Sequence, residues 1–173
     1  GYGFAKRAAA VQVRLAGERL GGAYQTFTPV TMFGPHDDFD PERGHVVGAL
    51  ISRALAAERK QQPLVIWGSG RAVRQFVYVR DVARAVAALL EREDKGDVIL
   101  APDAGVTVRQ LAEAVAAATG FTGELRFDPS QPEGLARKVL ASGRPLPGLT
   151  YTPLATALAE TVAWKREHTK EKP

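Results

Sequence analysis

Helix-period and strand-like segments alternate from one end of the chain to the other, and no glycine-rich loop carries a strand into a helix. The alternation restricts the chain to α/β or α+β architectures. The missing loop excludes a complete dinucleotide-binding βαβ unit, because pyrophosphate is held where such a loop opens a helix. Gly68-Ser69-Gly70 comes nearest. However, Val73 stands where a third glycine belongs and a strand-like run follows, so this segment reads as a turn.

Tyr2 to Leu20 read as a helix with an apolar stripe of Phe4, Ala8, Val11 and Leu15, stopped by Gly21-Gly22. Ala23 to Val30 read as a strand and Thr31 to Gly44 as a loop. His45 to Arg59 read as a helix with Val46, Ala49, Leu50 and Arg53 in register. Strands are expected at Leu64 to Trp67, Val73 to Val79 and Asp97 to Ala101, with a helix at Asp81 to Glu93. Thr107 opens a helix to Thr119, and Gln110 is placed to complete a capping box. Leu125 to Phe127 form a further short strand, and Thr152-Pro153 begins the last helix.

A chain of 173 residues, 45% apolar and 24% charged, suits one buried core. Cysteine is absent, which excludes disulfides, thiolate metal ligands and a cysteine nucleophile within it. No apolar run reaches the roughly 18–20 residues of a membrane span, and a cytoplasmic protein is expected. The net charge is +4. Its basic residues are scattered, apart from Lys165, Arg166, Lys170 and Lys172, and no aromatics interleave with them, so nucleic acid is not the expected partner. A small basic surplus suits an anionic, diphosphate-bearing ligand.

Several residues carry possible chemistry. Tyr2 and Lys6 are four apart on one helix face, a spacing that also fits an ordinary helix start. His45 follows Gly44 where a helix cap would stand. Arg53 and Arg74 taken singly fit a solvated surface, and Trp67 fits a core. Their order along the chain is more specific: Tyr2-Gly3-Phe4-Ala5-Lys6, then Phe33-Gly34-Pro35-His36-Asp37-Asp38-Phe39. His45-Val46-Val47 follows, then Trp67-Gly68-Ser69-Gly70 with Arg74-Gln75-Phe76 and Val79. Pro132-Glu133-Gly134 and Arg137-Lys138 complete the set.

This ordered set resembles the extended short-chain dehydrogenase/reductases, the NAD-dependent epimerase/dehydratase family. Within them it is most similar to the GDP-L-fucose synthase branch, whose members are NADP-dependent 3,5-epimerase/4-reductases of GDP-4-keto-6-deoxymannose. The resemblance implies an α/β fold: a partial Rossmann-like sheet with a small α/β substrate-binding subdomain. Residues 1–173 would be a carboxy-terminal half, with the amino-terminal dinucleotide-binding half, the family's serine and an upstream cysteine outside it. It implies Tyr2 as the acid that protonates the reduced carbonyl oxygen. A phenol titrates near 10 in isolation, so such an acid needs a cation beside it. Lys6 would hold the nicotinamide ribose, and Pro29, Val30, Thr31 and Met32 would touch the nicotinamide end of NADP(H) together with Tyr2, Lys6 and His45.

His45 would also be an acid/base in epimerisation. Arg53, Trp67 and Arg74, with Glu133 and Lys138, would contact a nucleotide-sugar, a GDP-sugar being favoured. Further expectations are no NADP(H) on this chain alone, a separate amino-terminal half or homo-oligomer as partner, and no membrane. Three alternatives stay open: a non-catalytic GDP-sugar-binding module, a ligand-free remnant, and a UDP-hexose epimerase or dehydratase fragment. The sequence departs from the family at Thr31, Gly48 and Arg80, where asparagine, proline and aspartate are common, and over Ala141-Ser142-Gly143-Arg144-Pro145.

Overall fold

The parallel strand pairs join partners distant in sequence, as parallel pairing requires. The structure, a computed structural model, describes residues 1–92, 96–140 and 148–169; Ala141 to Pro145 lie outside them. The helices are α1 (Tyr2–Leu20), α2 (Val46–Lys60), α3 (Val79–Leu90), α4 (Val108–Thr119) and α5 (Leu154–Thr169). The strands are β1 (Gln25–Pro29), β2 (Thr31–Phe33), β3 (Leu64–Trp67), β4 (Val73–Arg74) and β5 (Phe76–Tyr78). They continue as β6 (Gly96–Leu100), β7 (Val106–Thr107), β8 (Leu125–Asp128) and β9 (Arg137–Lys138). Parallel pairs join β1 to β6, β2 to β5 and β3 to β8. Strand β4 lies between β7, antiparallel, and β9, parallel.

The main core lies where α2, α4 and α5 pack together over β3, around Leu50, Ile51, Leu64, Leu111, Val115, Leu158 and Val162. Helix α2 buries Val47, Leu50, Ile51, Ala54 and Leu55, a wide stripe at helical spacing. Each fully buried Leu or Ile here contributes about 1.5–3 kcal/mol. A smaller cluster of Ala85, Leu89, Val98 and Leu100 ties α3 to β6. Among the described residues no helix is long and apolar enough to cross a membrane.

Local chemistry set several boundaries as expected. Thr107 and Gln110 form the capping box of α4, each side chain bonded to the other's backbone N–H at 3.1 and 2.8 Å. Helix α1 spans its expected range and ends at Gly21, in the left-handed region at φ 70°. Its apolar stripe is largely uncovered. Phe4 is 79% exposed and Leu15 49% exposed, and no residue of α1 is fully buried. The side chains turned toward the protein are the small ones, including Val13, Ala16 and Gly17. At Gly17 the ring of Tyr24 lies 3.1 Å from where a Cβ would stand, so a small-residue face admits the aromatic and sets the helix rotation.

Other expectations are corrected. The strand expected over Ala23–Val30 covers Gln25–Pro29, and the loop expected after it begins with a second strand, β2, paired to β5. The strand expected over Val73–Val79 is broken at Gln75. That side chain is buried and donates to the carbonyls of Pro102 and Leu140 at 2.7 and 2.9 Å, leaving the two strand pieces with different partners. Val79 already belongs to α3. The last helix, expected to begin at Thr152-Pro153, begins at Leu154, and Thr152 stands before it. Its Oγ1 donates to Asp81 Oδ1 and its N–H to Asp81 Oδ2, both at 2.7 Å.

Tyr78 links β5 to α5. Its hydroxyl donates to Glu160 Oε2 at 2.7 Å, and Arg80 pairs with the same oxygen at 2.8 Å. Burial, followed by the bond to Glu160, pushes the phenol up to about 12. The unfolded phenol titrates near 10. This contribution to stability is therefore complete below pH 10 and is lost as pH rises toward 12. Denaturant titrations from pH 9 to 12 should show stability falling over that window. Tyr78→Phe should flatten the fall, and an unchanged slope would remove Tyr78 as its source.

Candidate functional site

The loop leading into α2 is built from short polar side chains bonded to neighbouring backbone. Asp37 Oδ1 accepts from the N–H of Asp38 at 2.8 Å, and Asp38 Oδ1 from that of Asp40 at 2.9 Å. Asp40 Oδ1 accepts from both Glu42 and Arg43 N–H at 2.8 Å, which hold its carboxyl below the usual carboxylate range. These turns deliver His45 to the start of α2 in extended conformation, exposed, with no cap bond from its side chain. A Cβ at Gly44 would stand 2.5 Å from the Asp38 and Asp40 carbonyl oxygens, and one at Gly48 2.4 Å from that of Asp38. The loop is thus pressed onto α2 at two glycines. The other oxygen of Asp37, Oδ2, is buried with no hydrogen-bond partner. Burial raises the Asp37 carboxyl above its ordinary range, against the opposing pull of the Asp38 N–H and of the charge on His45.

Two turns along α2, Arg53 lies against β3. Its guanidinium is centred 5.5 Å from the ring of Trp67, and Nη1 makes a long 3.5 Å contact with the Val65 carbonyl. Its Nε is buried without a partner, and burial pulls the guanidinium below its ordinary pKa. Trp67 is 49% exposed, so this tryptophan is not a core residue.

The chain then turns through Gly68 and Gly70, at φ 83° and 76°, before entering β4. Ser69 Oγ donates to Glu133 Oε1 at 2.7 Å, and the Ala72 N–H reaches the same oxygen at 3.2 Å. Ser69 is the first cause of the lowered pKa of Glu133. Arg74 Nη2 donates to the Glu133 carbonyl at 3.1 Å, and Arg74 lies in register with Lys138 across β4 and β9.

The expected site residues thus fall into separate groups, with His45 alone at the start of α2. Arg53 and Trp67 stack together. Arg74, Lys138 and Glu133 share the turn, where the Glu133 carboxylate braces Ser69 and Ala72. Tyr2 and Lys6 stand apart on α1, with Lys6 Nζ 5.5 Å from the Tyr2 ring, and Tyr2 is 79% exposed. Pro29 to Met32 cross from the end of β1 into β2, where the Val30 N–H bonds the Leu100 carbonyl at 3.1 Å. That is the carboxyl end of a parallel pair, the edge at which α/β sheets take ligands. Asp37 and Ser69 stood within the ordered motifs but were given no role from sequence, since a short polar residue in a loop has no periodic signal.

The sequence model of the NAD dependent epimerase/dehydratase family matches residues 1–101. The chain belongs to this family. It is 35% identical to a probable GDP-L-fucose synthase of Drosophila melanogaster, over 97% of this chain and 56% of the relative. It is 33% identical to a dTDP-4-dehydro-6-deoxy-D-allose reductase of Streptomyces bikiniensis, over 98% of this chain and 52% of the relative. The solved structure of a GDP-L-fucose synthetase from Naegleria fowleri bound to NADP superposes with a TM-score of 0.88 at 30% identity, covering 98% of this chain and 56% of that one. The chain spans about half the length of the relatives it matches. Its fold is the α/β, Rossmann-like fold of this epimerase/dehydratase family.

The residues present fit one end of a dinucleotide. The Tyr2 phenol and the Lys6 ammonium, on one helix face, are donors of the kind a ribose takes, whereas along Pro29 to Met32 the Val30 N–H is already given to the Leu100 carbonyl. A pyrophosphate needs backbone N–H groups at a glycine-rich strand-to-helix junction. Among the described residues, the direct junctions Tyr78 into α3 and Thr107 into α4 carry no glycine, and in the longer loop from β2 to α2 Gly34 is packed on Val79 and Tyr78, and Gly44 on the carbonyls of Asp38 and Asp40.

Proposed function

We propose that residues 1–173 form the nucleotide-sugar-binding, acid/base side of an NADP-dependent GDP-sugar epimerase/reductase. Arg53 carries the reading. A guanidinium with a buried, unpartnered Nε, stacked on a half-exposed indole, is prepared for an anionic oxygen above an aromatic platform. Arg74 and Lys138 add positive charge on the neighbouring strands, and Glu133 holds their turn. His45 takes or returns the proton on the carbon beside a keto group, the step that inverts a sugar centre. Hydride is what the dinucleotide supplies when bound. This chain's part in that reduction is the proton given by Tyr2 Oη to the carbonyl oxygen, with Lys6 holding the ribose.

Calorimetry of the chain with GDP, GDP-mannose, UDP-glucose and a dTDP-sugar tests the binding. GDP ligands should bind, and Arg53→Ala should weaken them about 10–100-fold, the size of one charge-assisted hydrogen bond. No heat with any nucleotide would sink the proposal, and a preference for UDP- or dTDP-sugars would move it to another branch of the family.

A second reading is binding without reduction. It is supported by the exposure of Tyr2 and Lys6, which leaves the phenol in water. It expects no NADPH oxidation by this chain alone, even with a keto-sugar nucleotide. The uncovered Phe4 and Leu15 face of α1 supports association, with a polypeptide bearing the pyrophosphate cradle or with a second copy.

A further inference from the structure

Asp37 has an unusual position for a carboxylate outside any established role. Oδ1 is satisfied by the Asp38 N–H, whereas Oδ2 is out of water and has no donor. An unsatisfied buried acceptor costs about 1–3 kcal/mol, and more when charged, so it calls for an explanation. Oδ2 points at the first turn of α2. It lies 3.4 Å from where a Cβ at Gly48 would stand, and Gly48 is on the helix face of His45, one turn along. The absent side chain at Gly48 lets the Asp38 backbone and Asp37 Oδ2 come close to the helix there. At the same helix end stands an imidazole whose side chain makes no cap bond. A free acceptor and a ring with an uncommitted N–H therefore share one end of α2. The charged groups that act on Asp37 are His45 from α2 and Asp38 from the loop.

We infer that Asp37 is the positioning partner of His45: its free oxygen receives one imidazole N–H, fixing the ring tautomer and leaving the other nitrogen turned outward for proton transfer. This rests on the proposed acid/base role of His45. A ring held in one tautomer presents the same nitrogen at every turnover, and a neighbouring carboxylate stabilises the imidazolium that each proton pick-up creates. The left-handed backbone at His36, φ 67°, together with the Asx turns that follow, aims Asp37 inward. Asp37 is thus placed by the loop rather than by a helix or strand.

The test uses the chain itself and needs no catalysis. Long-range proton–nitrogen spectra read the tautomer of neutral His45, and carbon-detected titration follows the Asp37 carboxyl. In the unsubstituted chain one His45 tautomer should dominate, and Asp37→Asn should change its population. In His45→Gln the Asp37 carboxyl should titrate at higher pH, because a cation that lowers it has gone. A freely mixed tautomer that Asp37→Asn leaves alone would overturn the inference, as would an Asp37 titration indifferent to His45→Gln. A carboxylate that merely anchors the loop would lower the melting temperature on substitution and move neither signal. The second measurement keeps Asp37 intact, so it stands even if Asp37→Asn does not fold. Nucleotide binding is read separately by calorimetry, so loss of the pairing and loss of the functional reading give different results.

Discussion

Asp81→Ala should cost the fold about 3–5 kcal/mol, since Thr152 makes two hydrogen bonds to this carboxylate and each hydrogen bond to a charged group contributes about 1.5–3 kcal/mol. Folded domains are stable by only about 5–15 kcal/mol in total, so this substitution should bring the chain close to unfolding. Asp81 is 1% exposed and accepts from the Thr152 N–H, the Thr152 hydroxyl and Arg84. The Arg84 side chain is 60% exposed, which places its pairing in the weak class of surface ion pairs. The loss therefore lies with Thr152, whose half-buried N–H and hydroxyl would lose their acceptor, and Arg84→Ala should cost less than about 1 kcal/mol. Asp81→Asn retains a carbonyl acceptor and should fall between them. Urea titrations with a constant slope would read all three. Equal losses for Asp81→Ala and Arg84→Ala would show that Thr152 is not the anchored partner. The consequence reaches the site. Thr152 fixes the entry of α5, α5 packs on α4, and α4 packs on α2, which carries His45 and Arg53.

What could be read from the chain depended on the range of the interaction that fixed each element. The cap of α4 is local, four residues that satisfy one another, and both its residues and its geometry were legible. The extent of α1 was local too, ended by Gly21, but its orientation was decided by the ring of Tyr24 on Gly17, and the larger side chains were turned outward. Strand β2 is three residues long, Met32 in it is 43% exposed, and its partner lies beyond α2 and β3. No periodicity could reveal such a strand. Gln75 broke a convincing alternating run because its amide was needed by two distant carbonyls. The site followed the same rule. The ordered motifs brought out Arg53, Trp67 and Arg74, but that Arg53 lies over Trp67 depends on how α2 packs on β3. Ser69 and Asp37 act through single hydrogen-bonding atoms in loops, and only the assembled fold shows what those atoms meet or lack.

Gly48→Ala sets two local rules against each other, and we expect packing to win. Gly48 is inside α2, where alanine is favoured over glycine by about 1 kcal/mol of intrinsic propensity. Helix propensity alone therefore predicts a gain. The added Cβ would stand 2.4 Å from the Asp38 carbonyl oxygen and 3.4 Å from Asp37 Oδ2. The first contact is with backbone, not with the end of a flexible side chain. That backbone is held by the bond from Asp40 N–H to Asp38 Oδ1 and by the close approach of Gly44 to the same carbonyl. The loop must move as a body, and overpacking of this kind costs about 1–3 kcal/mol. A net loss of about 1–2 kcal/mol is expected, with a changed environment at His45. Gly3→Ala is the control. Gly3 is also helical, but nothing lies within 4 Å of its Cβ position, so there the propensity gain should appear unopposed, trimmed by fraying at the helix start. If Gly48→Ala proved as harmless as Gly3→Ala, the Asp38 carbonyl would not be seated against α2. The close seating of the loop that brings Asp37 to the end of α2 where His45 stands would then be lost with it.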